Sequence, residues 1–311
     1  MSKAREKARF DSGGTQCAAW FYPGTTGACV VMAAGMGVTK EPGTDPFARH
    51  FHELGVAVLA FDYRGFGESG GKPRQVARVR EQLADWDAAL AFAASLPGVD
   101  GSRLAAWGFS SSGGHIFRVA AAHPELAAAI AQTPNADGRA AARNAMHHQT
   151  RSALLRLMAR ALVDAVGGLL GRPPMLVPLA GEPGSVALLT TPDSRVSADA
   201  LNPGDRYPTW QQTVAARSAL GLSLYRPGRS ASAIRCPLLV IACDQDESAL
   251  AEPAVRAAQR APRGEVLRLS GGHYAPFQER HEETVQAELA FLRRHLLTPY
   301  GADAAVRSAA S

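Results

Sequence analysis

The segment Leu104-Ala-Ala-Trp-Gly-Phe-Ser-Ser-Ser-Gly-Gly-His115 passes from an apolar run through a turn of small residues into a helix start. In a frame close to G-x-S-x-G, such a turn lifts a serine hydroxyl clear of the sheet. The first amides of the following helix then point at an oxygen that gains negative charge when the serine attacks an acyl carbon. The chemistry implied is acyl transfer through a serine nucleophile. Three consecutive serines make the register the first question. Ser110 has Gly108 two positions before it and Ser112 two after. Ser111 would place the bulky Phe109 two before. Ser112 has Ser110 before and Gly114 after, but it stands half a turn into the helix. Ser110 is the preferred nucleophile and Ser112 the alternative.

A serine in this role must be carried by a strand inside a buried sheet, and the chain offers one. Short apolar runs read as strands at Gln16 to Phe21, Cys29 to Ala33, Val56 to Asp62, Leu104 to Trp107, Ala128 to Thr133, Leu238 to Cys243 and Glu265 to Leu269. Several are apolar throughout, as strands covered on both faces are. Helical patterns alternate with them. Val76, Val79, Leu83, Trp86, Leu90 and Ala93 line one helix face, and Val285, Leu289, Leu292 and Leu296 line another. This alternation predicts a mostly parallel twisted sheet with helices on both faces. From about Arg139 to Ser232 the rhythm stops. That stretch shows helical patterns and Pro/Gly-rich loops without a core strand, and it reads as an inserted helical cap. Within it, Leu155, Met158, Leu162 and Ala165 mark an amphipathic helix available for packing on the main domain. Gly167 to Pro183 reads as loop, and a second helix is expected through Thr209 to Ala219. The expected organisation is a hydrolytic core over 1–138 and 233–298, the cap over 139–232, and a flexible tail over 299–311.

A second motif follows the third of these strands, Phe61-Asp-Tyr-Arg-Gly-Phe-Gly-Glu-Ser69. With the serine turn, this D-x-R-G-x-G-x-S segment makes the chain resemble the α/β-hydrolase superfamily over roughly Thr15 to Leu297. Within it the chain is similar to the dienelactone-hydrolase-like and Xaa-Pro-peptidase-like group, which includes thioester hydrolases and polyketide acyltransferases. The Ser112-Gly-Gly-His115 continuation matches that group's serine turn.

A serine hydroxyl needs a base, and the base needs an orienting carboxylate. Of nine histidines, His273 alone lies just past a predicted strand, in the turn Ser270-Gly-Gly-His-Tyr274, and it follows the nucleophile in the order these enzymes use. His115 on the helix after the serine turn reads as packing. His281 and His295 lie on the terminal helix, and His50, His52 and His123 read as surface or packing residues. The loop after Leu238 to Cys243 offers Asp244, Asp246 and Glu247. The resemblance puts the acid at Asp246, with Asp244 the alternative, although relatives follow the acid with an apolar residue and a proline where this chain has Glu247, Ser248 and Leu250. The resemblance also implies an oxyanion hole from the backbone amides of Ser111 and Met36. Relatives commonly carry His-Gly where this chain has Ala34-Gly35, so a side-chain brace of that loop is replaced while the amide donor stays.

The expected activity is cleavage of an ester or thioester of a largely apolar acyl group, in the carboxylesterase or thioesterase class. One alternative is a non-hydrolytic acyltransferase or eliminating enzyme of secondary metabolism using the same triad, and another is a binding protein of the same fold without turnover. His147, His148, Trp210 and Tyr225 in the cap are candidates for substrate contact. The partner is a small-molecule ester or acyl thioester, free or carrier-protein-bound. The net charge of +5 over 311 residues is dispersed and mostly arginine, which excludes a nucleic-acid stripe. Cys17, Cys29, Cys236 and Cys243 are scattered in apolar runs, the pattern of buried thiols rather than a metal site. With no phosphate loop or dinucleotide fingerprint, no cofactor is expected. No apolar run is long enough to span a membrane and the basic N-terminus lacks a secretory pattern, so a cytoplasmic location is expected.

Overall fold

In the computed structural model, which describes residues 5–297, the apolar runs form one eight-stranded sheet. The chain enters through a hairpin, β1 (Glu6–Ser12) and β2 (Thr15–Tyr22), and continues as β3 (Cys29–Ala33), α1 (Lys40–Glu53), β4 (Ala57–Phe61), α2 (Val79–Ala94), β5 (Leu104–Phe109), α3 (Ser111–Ala122) and β6 (Ala128–Gln132). An excursion follows, with α4 (Gly138–Ala145), α5 (Arg151–Leu169), β7 (Leu176–Pro178), α6 (Ser197–Leu201), β8 (Thr213–Ala215) and α7 (Ser218–Leu224). The sheet resumes with β9 (Leu238–Cys243), α8 (Ala251–Arg260) and β10 (Gly264–Leu269), followed by α9 (His281–Leu292) and a last helical turn, Arg293–Leu297. The tail expected from residue 299 lies outside the described residues.

Strand order is β1-β2-β4-β3-β5-β6-β9-β10, parallel from β4 to β10, with β2 antiparallel to both β1 and β4. The crossover through α1 runs one way along the sheet and those through α2, α3 and α8 run the other. Right-handed crossovers therefore put α1 on one face and the other three on the opposite face. Strand order reverses between β3 and β5. The crevice at the carboxyl ends of those neighbours is where such sheets place their chemistry. All residues of β3, β4, β5, β6 and β9 are buried, which is why these strands read as unbroken apolar runs.

The structure corrects the reading in four places. Glu6–Ser12 is an edge strand, hidden in the sequence because its exposed positions carry Glu6, Lys7, Arg9 and Asp11. Thr213–Ala215 is a strand paired with Leu176–Pro178, so the helix expected through Thr209 to Ala219 begins only at Ser218, and the stretch read as loop from Gly167 contains β7. These two strands form a separate ribbon. The stripe on α5 also faces the other way. Leu155 is 70% exposed, and Met158 and Leu162 are exposed with it, while Ala153, Ala161 and Asp164 are buried. Asp164 turns inward because its carboxylate accepts the Met175 and Arg217 amides at 2.8 and 2.9 Å and pairs with the Arg217 guanidinium. That polar anchor decides the helix's rotation against its larger apolar face. The four cysteines are free and buried, and burial pushes the Cys29 thiol up to about 12.

Beneath the sheet, Trp107 of β5 donates its indole N–H to Glu288 Oε1 of α9 at 2.8 Å. Glu288 is fully buried and its Oε2 has no partner among the described residues. Burial pushes this carboxyl up to about 8, with the Trp107 bond opposing it. The unfolded chain releases this proton near 4.5 and the folded chain holds it to about 8, so stability falls as pH rises through that window. Glu288→Gln, which keeps the acceptor, should remove up to about 1.4 kcal/mol of stability loss per pH unit. Thermal melts of both proteins between pH 6 and 8 check this, and parallel curves would show the group to be ionised.

Candidate active site

Ser110 occupies the single residue between β5 and α3, with φ 59° and ψ −116°. A side chain rarely adopts this left-handed region, and the surroundings must hold it there. They do so from β6 and its exit. The Ser110 amide donates to Gln132 O at 3.0 Å, and its carbonyl accepts the Asn135 and Gly114 amides at 3.0 and 2.9 Å. The turn is so tight that a Cβ on Gly108 would lie 2.4 Å from Ser112 O, which explains the glycine two before the serine.

Ser110 Oγ lies 2.9 Å from His273 Nε2, and His273 Nδ1 lies 2.7 Å from Asp246 Oδ2. The second Asp246 oxygen accepts the Ala249 amide at 2.6 Å, so the carboxylate is fixed at both ends. His273 and Asp246 are buried. Burial alone disfavours the imidazolium, but the Asp246 carboxylate outweighs it, with Asp193 adding in the same direction, and the His273 pKa is raised. The arrangement can move a proton from the serine hydroxyl to the ring while the carboxylate stabilises the resulting cation.

The alternatives lie elsewhere. Asp244 points outward to Arg268 at 2.7 Å. Ser112 is fully buried, and its hydroxyl ends a chain of donors: Trp86 Nε1 to Tyr63 Oη at 2.8 Å, Tyr63 to Ser112 Oγ at 2.6 Å, and Ser112 to Ala34 O. The loop after β3 is thus braced from beneath by the Ser112 hydroxyl, which bonds the carbonyl of Ala34. Gly35 of that loop packs on Ser110, since a Cβ there would sit 3.1 Å from Ser110 Cβ. Met36, next along, is partly buried, and Ser111 opens α3, where the first amides have no intrahelical acceptor.

The D-x-R-G-x-G-x-S segment holds this loop at its far end. Asp62 accepts the Lys40 amide at 2.8 Å, the Lys40 ammonium at 2.9 Å and the Glu68 amide at 3.0 Å. Arg64 reaches Asp85 on α2, and Ser69 Oγ donates to Asp62 O at 2.6 Å. The motif is a brace between the first turn of α1 and the turn after β4.

His115, on α3, is buried with its ring nitrogens 2.9 Å from Tyr225 Oη and 3.1 Å from Gln82 Oε1, and burial pushes its pKa down to about 3. Tyr225 also lines an 880 Å³ cleft with Arg78, Gln82, Arg217 and Leu222, whose walls do not include Ser110, Asp246 or His273. Trp210 is buried with its indole donating to Gly37 O at 2.8 Å, on the loop after β3. His148 lies 3.1 Å from Glu247 on the acid loop, and His147 is exposed. Sequence reasoning missed Tyr63, Trp86 and Asp193. Asp193 comes from the excursion and accepts the amides of Glu247 at 2.8 Å and Ser248 at 3.1 Å. No periodicity or motif marks it.

This sheet, with a serine at the β5 turn and a histidine and an aspartate after β10 and β9, defines a class. The pattern of the alpha/beta hydrolase family matches residues 30–287, and the chain belongs to that family. It is 40% identical over 291 residues to the quorum-quenching protein AidA of Acinetobacter baumannii, covering 92% of this chain and 93% of that one. It is 29% identical over 285 residues to the polyketide transferase af380 of Aspergillus fumigatus, covering 89% and 93%. Among solved structures it is similar to the alpha/beta hydrolase GrgF from Penicillium sp. sh18, with a TM-score of 0.77 at 22% identity over 94% of this chain and 99% of that one.

The donor chain through Ser112 makes a stability prediction. Ser112→Ala leaves the Ala34 carbonyl without this donor and the Tyr63 hydroxyl, which still accepts from Trp86, without an acceptor, and should cost about 1–3 kcal/mol. Ser111 Oγ is buried without a partner among the described residues, so Ser111→Ala should stay within about 0.5 kcal/mol. Urea denaturation of the two variants checks both values.

Proposed function

We propose that this protein is a serine hydrolase that cleaves an ester or thioester of a largely apolar acyl group through an acyl-enzyme. The observation that carries the reading is the continuous line from Ser110 Oγ through the His273 ring to Asp246, at 2.9 and 2.7 Å. Ser110 attacks the acyl carbon as His273 Nε2 takes its proton, and Asp246 stabilises the imidazolium. The amides of Met36 and Ser111 receive the oxyanion. His273 then returns the proton to the leaving oxygen or sulfur, and water, activated by the same ring, releases the acid. Residues 139–232 form the cap over this site. The likeness to a protein named for quorum quenching favours a small signalling molecule bearing an acyl ester as the substrate.

A second reading keeps the triad and changes the acceptor. The likeness to a polyketide transferase, together with Ala34 in the loop after β3, supports acyl transfer to another hydroxyl or thiol in place of water.

A fluorophosphonate probe should label the wild-type chain and not Ser110→Ala, whose turnover should fall by at least about 10⁴-fold. Equal labelling of both would exclude Ser110. Screening acyl esters, lactones and thioesters of graded chain length in ¹⁸O water should yield an acid carrying one solvent oxygen, whereas an ester product formed only with an added acceptor would favour transfer. Because the neutral ring is the base and its pKa is raised, activity should rise with pH along a limb centred above the ordinary value of about 6.5. In Asp246→Asn that limb should move to lower pH as the maximal rate falls by about 10²-fold or more. A kcat/KM profile between pH 5 and 9 checks the sign.

A further inference from the structure

We infer that Asp193, on the excursion between β6 and β9, is a positioning residue that sets the distance between the acid loop and the histidine loop of the site. The inference rests on the reading of Ser110, His273 and Asp246 as a working triad. Asp246 and His273 lie on separate loops, after β9 and after β10. A 2.7 Å bond between their side chains holds only if both loops are fixed to a common frame. One carboxylate supplies that frame. Asp193 Oδ2 accepts the amides of Glu247 at 2.8 Å, Ser248 at 3.1 Å and His273 at 3.3 Å, while its Oδ1 accepts the Ser248 hydroxyl at 2.7 Å. The amide next to the acid and the amide of the histidine therefore converge on a single oxygen.

The surroundings hold Asp193 in this place. Thr191 Oγ1 lies 2.7 Å from Ser248 Oγ, and a Cβ on Gly272 would come within 3.0 Å of Asp193 Cβ, so the histidine loop packs directly on it. Four residues on, the Ser197 side chain lies beside the phenol of Tyr274, whose ring stands edge-on to His273 at 4.9 Å. The same short segment thus touches both neighbours of the base. Of the charged groups nearby, Glu247 turns its carboxylate to His148, and Asp244 is paired with Arg268. The charges left facing each other are Asp193, Asp246 and His273. Burial opposes ionisation of Asp193, but the His273 ring and the donors from Ser248, Thr191 and Glu247 overcome it, and its carboxyl is held below the usual range. It is an anion across the working pH range and lies close enough to the ring to favour the imidazolium.

This makes the cap a part of the catalytic geometry. Displacing residues 191–197 would leave Ser110 on its strained turn but let the acid loop and the histidine loop drift apart.

The test is the rate at which a fluorophosphonate modifies Ser110 in the full chain, measured from pH 5 to 9, because this reads the nucleophile and its base without the natural substrate. Asp193→Asn keeps the size but loses the charge and one acceptor oxygen. Its maximal rate should fall by about tenfold and its acid limb should move by about half a unit to lower pH, in the direction expected when one favourable charge is lost. Asp193→Glu, which retains the charge with altered reach, should keep the limb near the wild-type position while its maximal rate falls. Thermal melts of each variant identify any loss that comes from unfolding. A folded Asp193→Asn variant with wild-type rate and limb would overturn the inference, and so would a lower rate with an unmoved limb, the result expected of a merely structural role. If the wild-type chain itself is not labelled at Ser110, the triad reading fails instead, and the two failures are told apart.

Discussion

At the end of β5 a residue with a side chain is held at φ 59°, a conformation that costs about 1–3 kcal/mol and persists only where neighbours over-determine it. The rest of the site is arranged around that constraint. β6 contributes the Gln132 carbonyl and the Asn135 amide that close on the Ser110 backbone, which requires β6 to be the immediate neighbour of β5. On the other side of β5 lies β3, so the loop leaving β3 arrives at the same crevice and Gly35 packs against the serine. Reversal of strand order at this pair gives the turn its open face. A different strand order would leave Ser110 without either its backbone clamp or its facing loop.

Four polar groups buried around the turn find their partners in series. Trp86, Tyr63 and Ser112 pass donors along to the Ala34 carbonyl, which joins α2, the turn after β4, α3 and the loop after β3 in one network. Such a network carries a high penalty if any member is lost, because the remaining groups are then buried unpaired. Ser112 serves this network two positions after Ser110, where a serine is small enough for the turn.

What was legible in the sequence was whatever arises from local repetition or a motif. The buried strands β3 and β9 appear with the bounds read from their apolar runs, and Ser110, His273 and Asp246 were singled out from a turn, a strand end and a resemblance. What was not legible depends on partners far along the chain. β1 is an edge strand whose charged exposed side conceals its alternation. β7 and β8 have three residues each, too few for any period. The rotation of α5 is decided by Asp164 bonding Arg217, 53 residues away, against the larger apolar stripe. Trp210 read as a substrate contact because an aromatic in a cap suggests one, and the bond its N–H makes to Gly37 O, far along the chain, had no local signal.

Asp193 belongs to this second class, and the acid loop shows why such a residue is needed. The family resemblance implies an apolar residue and a proline after Asp246. A proline has a fixed φ and no N–H to satisfy, so it stiffens the loop without outside help. This chain has Glu247 and Ser248 after Asp246, and both keep amides that β9 has no way to accept once the strand has ended. An acceptor from elsewhere must meet them, and a carboxylate takes more such donors than a carbonyl. The departure from the family pattern at Glu247 and Ser248 and the reach of Asp193 from the excursion are thus two halves of one arrangement. Rigidity that a proline would build into the loop is supplied by Asp193, which ties the placement of Asp246 to the excursion between β6 and β9.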